Sequence, residues 1–156
     1  METKKHIKLL IKSRYPVIYL ITWEEDRVMQ MCASISDEMK KNLYIWSVTD
    51  GLICADKIIS SAKTPCSALE IIESKDNGIF LLRDFHHYID DHIIKRKIRD
   101  LVVLFRNSSR TIIITSPVMK IPVELEKDIT VIDYKLPSFS EMERIFSLVT
   151  DNFSSQ

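Results

Sequence analysis

Apolar residues fall into short unbroken runs that alternate with stretches of helical periodicity. Tyr15–Thr22, Leu43–Val48, Ile79–Leu82, Thr111–Thr115 and Ile129–Tyr134 read as five strands. Four of them are strongly apolar, the pattern of strands buried on both faces. That predicts a parallel sheet flanked by helices, a three-layer α/β sandwich. Residues 3–13 carry Ile7, Leu10 and Ile11 at helical spacing, and Pro16 ends that helix. Thr22 with Glu25 predicts a capping box, opening a helix through Val28, Met31, Cys32, Ile35 and Met39. Asp50-Gly51 predicts a turn, and a polar stretch with Pro65 leads to a helix over Ser67–Glu73. A long helix is expected from about Tyr88 to Phe105, its stripe being Ile94, Ile98, Leu101, Val102 and Phe105. A short helical turn is expected over Val123–Glu126. Ser138 or Ser140 caps a last helix bearing Met142, Ile145, Phe146 and Val149, and the tail from Asn152 to Gln156 is expected to fray.

Leu136-Pro137-Ser138 is the one candidate boundary, giving an α/β unit over 1–137 and a helix plus tail over 138–156. At 156 residues the chain is long enough for one full core. The 22 basic and 22 acidic residues cancel, which removes a bulk drive toward nucleic acid or anionic membrane. Neither is expected as a partner. Cys32, Cys54 and Cys66 form no CxxC pair, and their odd number argues for a reducing compartment. No apolar run approaches the ~20 residues that span a bilayer.

The junction after the first strand is the most informative position. In nucleotide-binding α/β proteins it carries a glycine-rich loop whose N–H groups cradle phosphates. Here it reads Trp23-Glu24-Glu25-Asp26-Arg27. Gly51 and Gly78 are the only glycines and lie elsewhere, and no Gly-x4-Gly-Lys-[Ser/Thr] occurs. Carboxylates at a helix N-terminus favour the helix dipole and repel a polyanion.

Several stretches bear a family resemblance. Ile79-Phe80-Leu81-Leu82-Arg83-Asp84 resembles the Walker B strand of AAA+ ATPases, and Thr111-Ile112-Ile113-Ile114-Thr115-Ser116-Pro117 their sensor-1 strand. Ile121–Asp133 resembles the approach to their fifth strand, and Leu136-Pro137-Ser138-Phe139-Ser140-Glu141 the hinge into their helical lid. More narrowly, Arg14–Arg27, Trp46-Ser47-Val48-Thr49-Asp50-Gly51 and Ser116–Pro122 resemble the N-terminal part of an AAA+ family found in cyanobacteria and red-algal plastids. That resemblance covers roughly residues 5–150 and implies a P-loop NTPase-like fold without its P-loop, with strand order 5-1-4-3-2. It implies that the last helix opens a lid, that family members continue into an ATP-binding domain, and that the compartment is cytoplasm or plastid stroma. It also implies a residual nucleotide site at Asp84, Thr115 and Ser116, with Phe85 in place of the second acid and Lys127-Asp128 where an arginine finger would fall.

Other candidate chemistry is sparser. Asp84, His86, His87, Asp90, Asp91 and His92 form the one metal-like cluster, with His86, His87 and His92 as its ligands. Its spacing matches no established motif, and Asp90 and Asp91 also suit the first turn of the following helix. Lys95, Arg99 and Arg106 project near one side of the long helix, as a solvated face or a docking surface. Cys32 and Cys66 are expected to pack, Cys54 to be exposed, and Trp23 and Trp46 each to be partly buried. The reading is a catalytically inactive AAA+-like module that assembles with an AAA+ domain or with itself and needs no cofactor. A weak ATPase using ATP and Mg²⁺ is the alternative, and a metal-dependent enzyme a third.

Overall fold

The strands join in one seven-stranded sheet with helices on both faces. The computed structural model describes residues 2–153. Chain order is α1 (Glu2–Lys12), β1 (Val17–Ile21), α2 (Glu25–Met39), β2 (Leu43–Ser47), β3 (Gly51–Cys54), β4 (Lys57–Ser60), α3 (Pro65–Ser74), β5 (Asn77–Arg83), α4 (His92–Phe105), β6 (Ser109–Ser116), β7 (Ile129–Asp133) and α5 (Phe139–Phe153). Short 3-10 turns occupy Phe85–His87 and Val123–Leu125.

Across the sheet the order is β4-β3-β2-β5-β6-β1-β7. The five strands expected from apolar runs are β1, β2, β5, β6 and β7, and they pair in parallel. Their order is the one implied by the resemblance. The strand count is corrected from five to seven, because β3 and β4 add an antiparallel extension beyond β2. Their connection is a two-residue turn, Ala55-Asp56, with both residues at positive φ (49° and 60°). Such turns are usually written Asn-Gly or Asp-Gly, so this one gives no hairpin signal. Gly51 (φ +75°) opens β3, where an added Cβ would lie 2.5 Å from the Ser60 carbonyl oxygen. Only glycine fits there without moving backbone.

Alternate strand residues feed two cores. Ile18, Leu20, Ile79, Leu81, Ile113 and Ile132 meet Ile7 of α1 and Val28, Cys32 and Ile35 of α2. On the other face Tyr19, Phe80, Leu82, Ile112 and Ile114 meet Leu69 of α3 and Ile98, Leu101 and Phe105 of α4. This two-faced burial is why the strands read as continuous apolar runs. Burial pushes the Cys32 thiol up to about 12, which makes it a packing group. Cys66 is only half-buried, as is Cys54.

Both tryptophans depart from the expected partial burial. Trp46 is fully buried, packs edge-on against Phe85 and Tyr88, and donates its indole N–H to the Ala62 carbonyl at 2.8 Å. Trp23 is 83% exposed. The long helix starts at His92 instead of Tyr88, because Asp91 caps it by accepting from the Ile93 and Ile94 N–H groups at 2.9 and 3.1 Å. Asp91 is thus a cap and not a first-turn residue.

The last helix, α5, opens with a true capping box. Ser138 N–H donates to the Glu141 carboxylate at 2.9 Å, and Glu141 N–H donates back to Ser138 Oγ at 3.3 Å. Among the described residues none of its side chains enters either core cluster. The tail expected to fray is helical at Asn152 and Phe153, and Ser154–Gln156 lie outside the described residues.

The two tryptophans supply a direct check. Truncating a buried aromatic costs about 3–5 kcal/mol, whereas an exposed site away from caps and cores stays within about 0.5 kcal/mol. Trp46→Ala is expected to shift the urea midpoint strongly, and Trp23→Ala hardly at all.

Candidate functional site

Four parallel strands end together at the carboxyl edge of the sheet, where open α/β folds place their ligands. In register, Ile132, Leu20, Thr115 and Arg83 form a row across β7, β1, β6 and β5 on the face covered by α2. This is where a phosphate cradle and its acidic partner would meet.

The β1–α2 junction has a different construction from the capping box expected there. Thr22 continues the ladder by donating its N–H to the Ser116 carbonyl at 2.8 Å. Its hydroxyl accepts from the Glu24 N–H at 3.0 Å, which turns the chain. The helix therefore starts at Glu25, with Glu24 in the cap position and no side-chain cap. Glu25 is engaged elsewhere. Its Oε2 accepts from Arg83 Nε at 3.1 Å and from Nη2 at 2.7 Å. Both side chains are about 30% exposed (29% and 30%), so the pair is partly desolvated. Glu24 pairs with Arg27, whose guanidinium lies 4.8 Å from the centre of the Tyr134 ring. Acidic side chains thus answer the positive end of α2.

Arg83 is the functional-looking residue that sequence reasoning missed. It stands one position before Asp84, which was assigned to the residual site. Asp84 is exposed and sits in the left-handed region (φ 53°, ψ 31°). Its N–H donates to the Thr115 carbonyl at 3.0 Å. That geometry makes Arg83, and not Asp84, the β5 side chain that reaches the start of α2. The Ser116 hydroxyl is occupied locally, donating to the Val118 carbonyl at 2.8 Å and accepting from the Val118 N–H at 3.1 Å. Thr115 is buried, and its Oγ1 has no hydrogen-bond partner. Tyr19 pins the following loop, donating its hydroxyl to the Val118 carbonyl at 2.7 Å and accepting from the Lys120 N–H at 3.3 Å. The cleft between Trp23, Pro117, Tyr134 and Leu136 encloses about 210 Å³. Drug-sized ligand pockets enclose roughly 300–1,000 Å³.

The histidines do not converge. His86 and His87 stack with ring centres 4.0 Å apart, and His92 is the exposed first residue of α4. Among the described residues no three His, Cys, Asp or Glu side chains are placed to hold a metal ion. Adjacent on a 3-10 turn, the two rings lean against each other at 36° instead of meeting around a common centre. His86 is buried with Nδ1 unpartnered. Burial first, then His87 and the Lys120 cation, push His86 below its ordinary 6.5, with Asp84 opposing. The basic helix face is largely answered within the chain. Lys95 reaches Asp90 at 3.6 Å and Glu124 at 3.5 Å, and Arg106 reaches Asp128 at 3.1 Å. Arg99 is exposed.

Two outcomes are expected. Arg83→Met leaves Glu25 without its partner and should cost about 1 kcal/mol by urea denaturation. Glu25→Gln made in the Arg83→Met background should cost clearly less than Glu25→Gln alone. For His86 the folded form disfavours the proton, so the unfolded chain takes it up more readily below 6.5. Stability should fall as pH drops through and below that value. His86→Asn should flatten this part of the profile, read from urea midpoints at about pH 7.5 and 5.5.

The family profile for the N-terminal domain of SpoVK-like AAA ATPases matches residues 3–134. An AAA domain-containing protein, ycf46, of Guillardia theta is 35% identical over 149 residues, covering 92% of this chain and 29% of its own length. The ycf46 protein of Pyropia yezoensis is 36% identical over 149 residues, covering 92% and 30%. That of Gracilaria tenuistipitata var. liui is 31% identical over 158 residues, covering 96% and 32%. The chain thus spans about a third of the length of the relatives it matches. The crystal structure of a DNA replication initiation factor superposes with a TM-score of 0.60 at 14% identity, covering 96% of this chain and 49% of the other. At that identity the likeness speaks for the fold alone.

Proposed function

The chain belongs to the family of SpoVK-like AAA ATPase N-terminal domains, and from that premise we propose that it is a non-hydrolysing AAA+-like module. It works by protein–protein assembly, with an ATP-binding AAA+ domain as its partner. The observation that carries this reading is the Glu25–Arg83 ion pair at the junction where phosphate would have to sit. A P-loop offers uncompensated backbone donors and a lysine to the phosphates. This junction offers carboxylates, and the arginine that could have drawn an anion is already bonded to one of them. Degenerate Walker positions fit this reading, with the Ser116 hydroxyl bonded within its own loop.

Exposed apolar groups at the same edge support an assembly role. Trp23 is 83% and Leu136 74% exposed, and large aromatics of this kind anchor interfaces. The basic face of α4 supports it less, because Lys95 and Arg106 are paired within the chain. A weak ATPase remains the second reading, favoured by one observation. The Thr115 hydroxyl, at the sensor-like position, is buried without a partner.

Titration with fluorescent ATP and ADP analogues, with and without Mg²⁺, separates the two. The expected result is no saturable binding up to millimolar nucleotide. Saturable, Mg²⁺-dependent binding at micromolar concentration would replace the assembly reading with the ATPase one.

A further inference from the structure

We propose that the amino edge of the sheet docks a short acidic segment of another protein, held by Arg14, Lys41, Lys75 and Arg110. The inference deepens the assembly reading and rests on it, adding the chemistry of the partner and the edge it meets. Strand order brings these four cations together from four separate loops. Lys41 precedes β2, Lys75 precedes β5, Arg110 lies at the start of β6 and Arg14 precedes β1, and these strands are neighbours in the order β2-β5-β6-β1. At about 4.8 Å between strands, their starts span about 14 Å.

The side chains converge on the start of β6. Lys41 Nζ donates to the Asn77 side-chain oxygen at 3.1 Å and to the Ser109 carbonyl at 2.7 Å. Arg14 Nη1 donates to the Asn107 carbonyl at 3.4 Å. Arg110 Nη1 donates to the Glu73 and Lys75 carbonyls at 3.2 and 3.0 Å. The Lys75 ammonium stands 5.8 Å from the centre of the Tyr44 ring. Every one of these acceptors is neutral, so the bonds fix the cations in place and leave their charge uncancelled. Among the described residues none of the four has a carboxylate at ion-pair distance, whereas Lys95, Lys97 and Arg106 each have one. Four helices end at this edge, and a helix C-terminus favours a nearby cation. That accounts for one cation per loop but not for two pressed together. Burial first, and then the Arg14 guanidinium, hold Lys41 below its ordinary 10.5. An anion seated between them offsets that repulsion.

Charge selects an acidic partner, and the surroundings select a short one. Asp37 and Asp56 line the hollow of about 340 Å³ beside Lys41, and Asp76 follows Lys75. Carboxylates there repel a polyanion that runs on past the cluster, as a nucleic-acid strand does. The 22 basic and 22 acidic residues of the chain give such a strand no bulk attraction. A few carboxylates on a protein segment fit within the span, and the exposed Arg14 guanidinium keeps donors free for one of them. A second copy of this chain is a poor source of them, because Glu24 and Glu25 at its carboxyl edge are paired with Arg27 and Arg83.

The test is titration of the chain with a dye-labelled octaglutamate peptide at low salt, followed by fluorescence anisotropy and amide NMR. Saturable binding is expected to move the amides of Lys41, Lys75 and Arg110 and to weaken as salt is added. Affinity should drop about tenfold in Arg14→Gln/Lys75→Gln and less than about twofold in Lys95→Gln/Arg99→Gln. Arg14 and Lys75 donate one long side-chain hydrogen bond between them, and an unchanged urea midpoint checks that the variant is folded. Lys75→Gln alone, which loses no hydrogen bond, serves where it is not. Absence of peptide binding, or equal loss in the two double variants, overturns the inference. A thymidine oligonucleotide of equal charge that binds the same residues more tightly makes nucleic acid the partner and overturns it. Self-association in sedimentation that Arg14→Gln/Lys75→Gln abolishes makes a second copy the partner and also overturns it. Nucleotide binding by the chain would instead remove the inactive reading while leaving the peptide result as predicted.

Discussion

A helix that starts at the carboxyl edge of a parallel sheet brings a positive end and several unpaired N–H groups to one place. Every fold of this plan must answer that charge, and the identity of the answering group decides the chemistry. In this chain the group is the Glu25 carboxylate, held by two hydrogen bonds from Arg83 at the end of β5. The pair ties α2 to the sheet across 58 residues of sequence. The Thr22 turn starts α2 at Glu25, and Trp23 within that turn stands outward. The consequence is an edge at which carboxylates already stand at the positive end of α2.

The rest of the molecule supports that edge. Two apolar layers, one under α1 and α2 and one under α3 and α4, clamp the central strands in a register that aligns Arg83 with Thr115 and Thr115 with Leu20. Close packing of this kind leaves little freedom for the strand ends to rearrange. The 3-10 turn after Asp84 and the Tyr19-pinned loop after Ser116 fix the flanks. Strand β4 and α5 lie outside this frame. Their apolar groups at Ile58, Phe139 and Phe146 are exposed, and none belongs to a core cluster.

How much of this was legible in the sequence depends on whether a signal is local. Runs such as Ile79–Leu82 and Thr111–Thr115 disclosed the parallel strands, because burial on both faces demands unbroken apolar residues. A cap for the last helix was visible at Ser138 or Ser140, and the structure selects Ser138, bonded to Glu141 within four residues. The hairpin was hidden because Ala55-Asp56 takes a conformation usually assigned to Asn-Gly, and β4 is too exposed to alternate. The tryptophans were misjudged because burial is set by neighbours distant in sequence: Phe85 and Tyr88 enclose Trp46, and nothing encloses Trp23. At the site, the three carboxylates of the junction were legible as an obstacle to phosphate. Their partner was not, since only the sheet brings Arg83 to Glu25. An arginine closing an apolar strand was the available hint, and Asp84 beside it drew the attention instead.

On the function proposed above, the Arg83–Glu25 pair stands where a nucleotide phosphate would need to bind. The Nε–Hε resonance of Arg83, followed by NMR while MgATP is added, reads that position directly. The account predicts a well-dispersed signal, held by its hydrogen bond, that does not move up to millimolar nucleotide. A saturable shift of that signal, accompanied by the amides of Glu25 and Thr115, would contradict it.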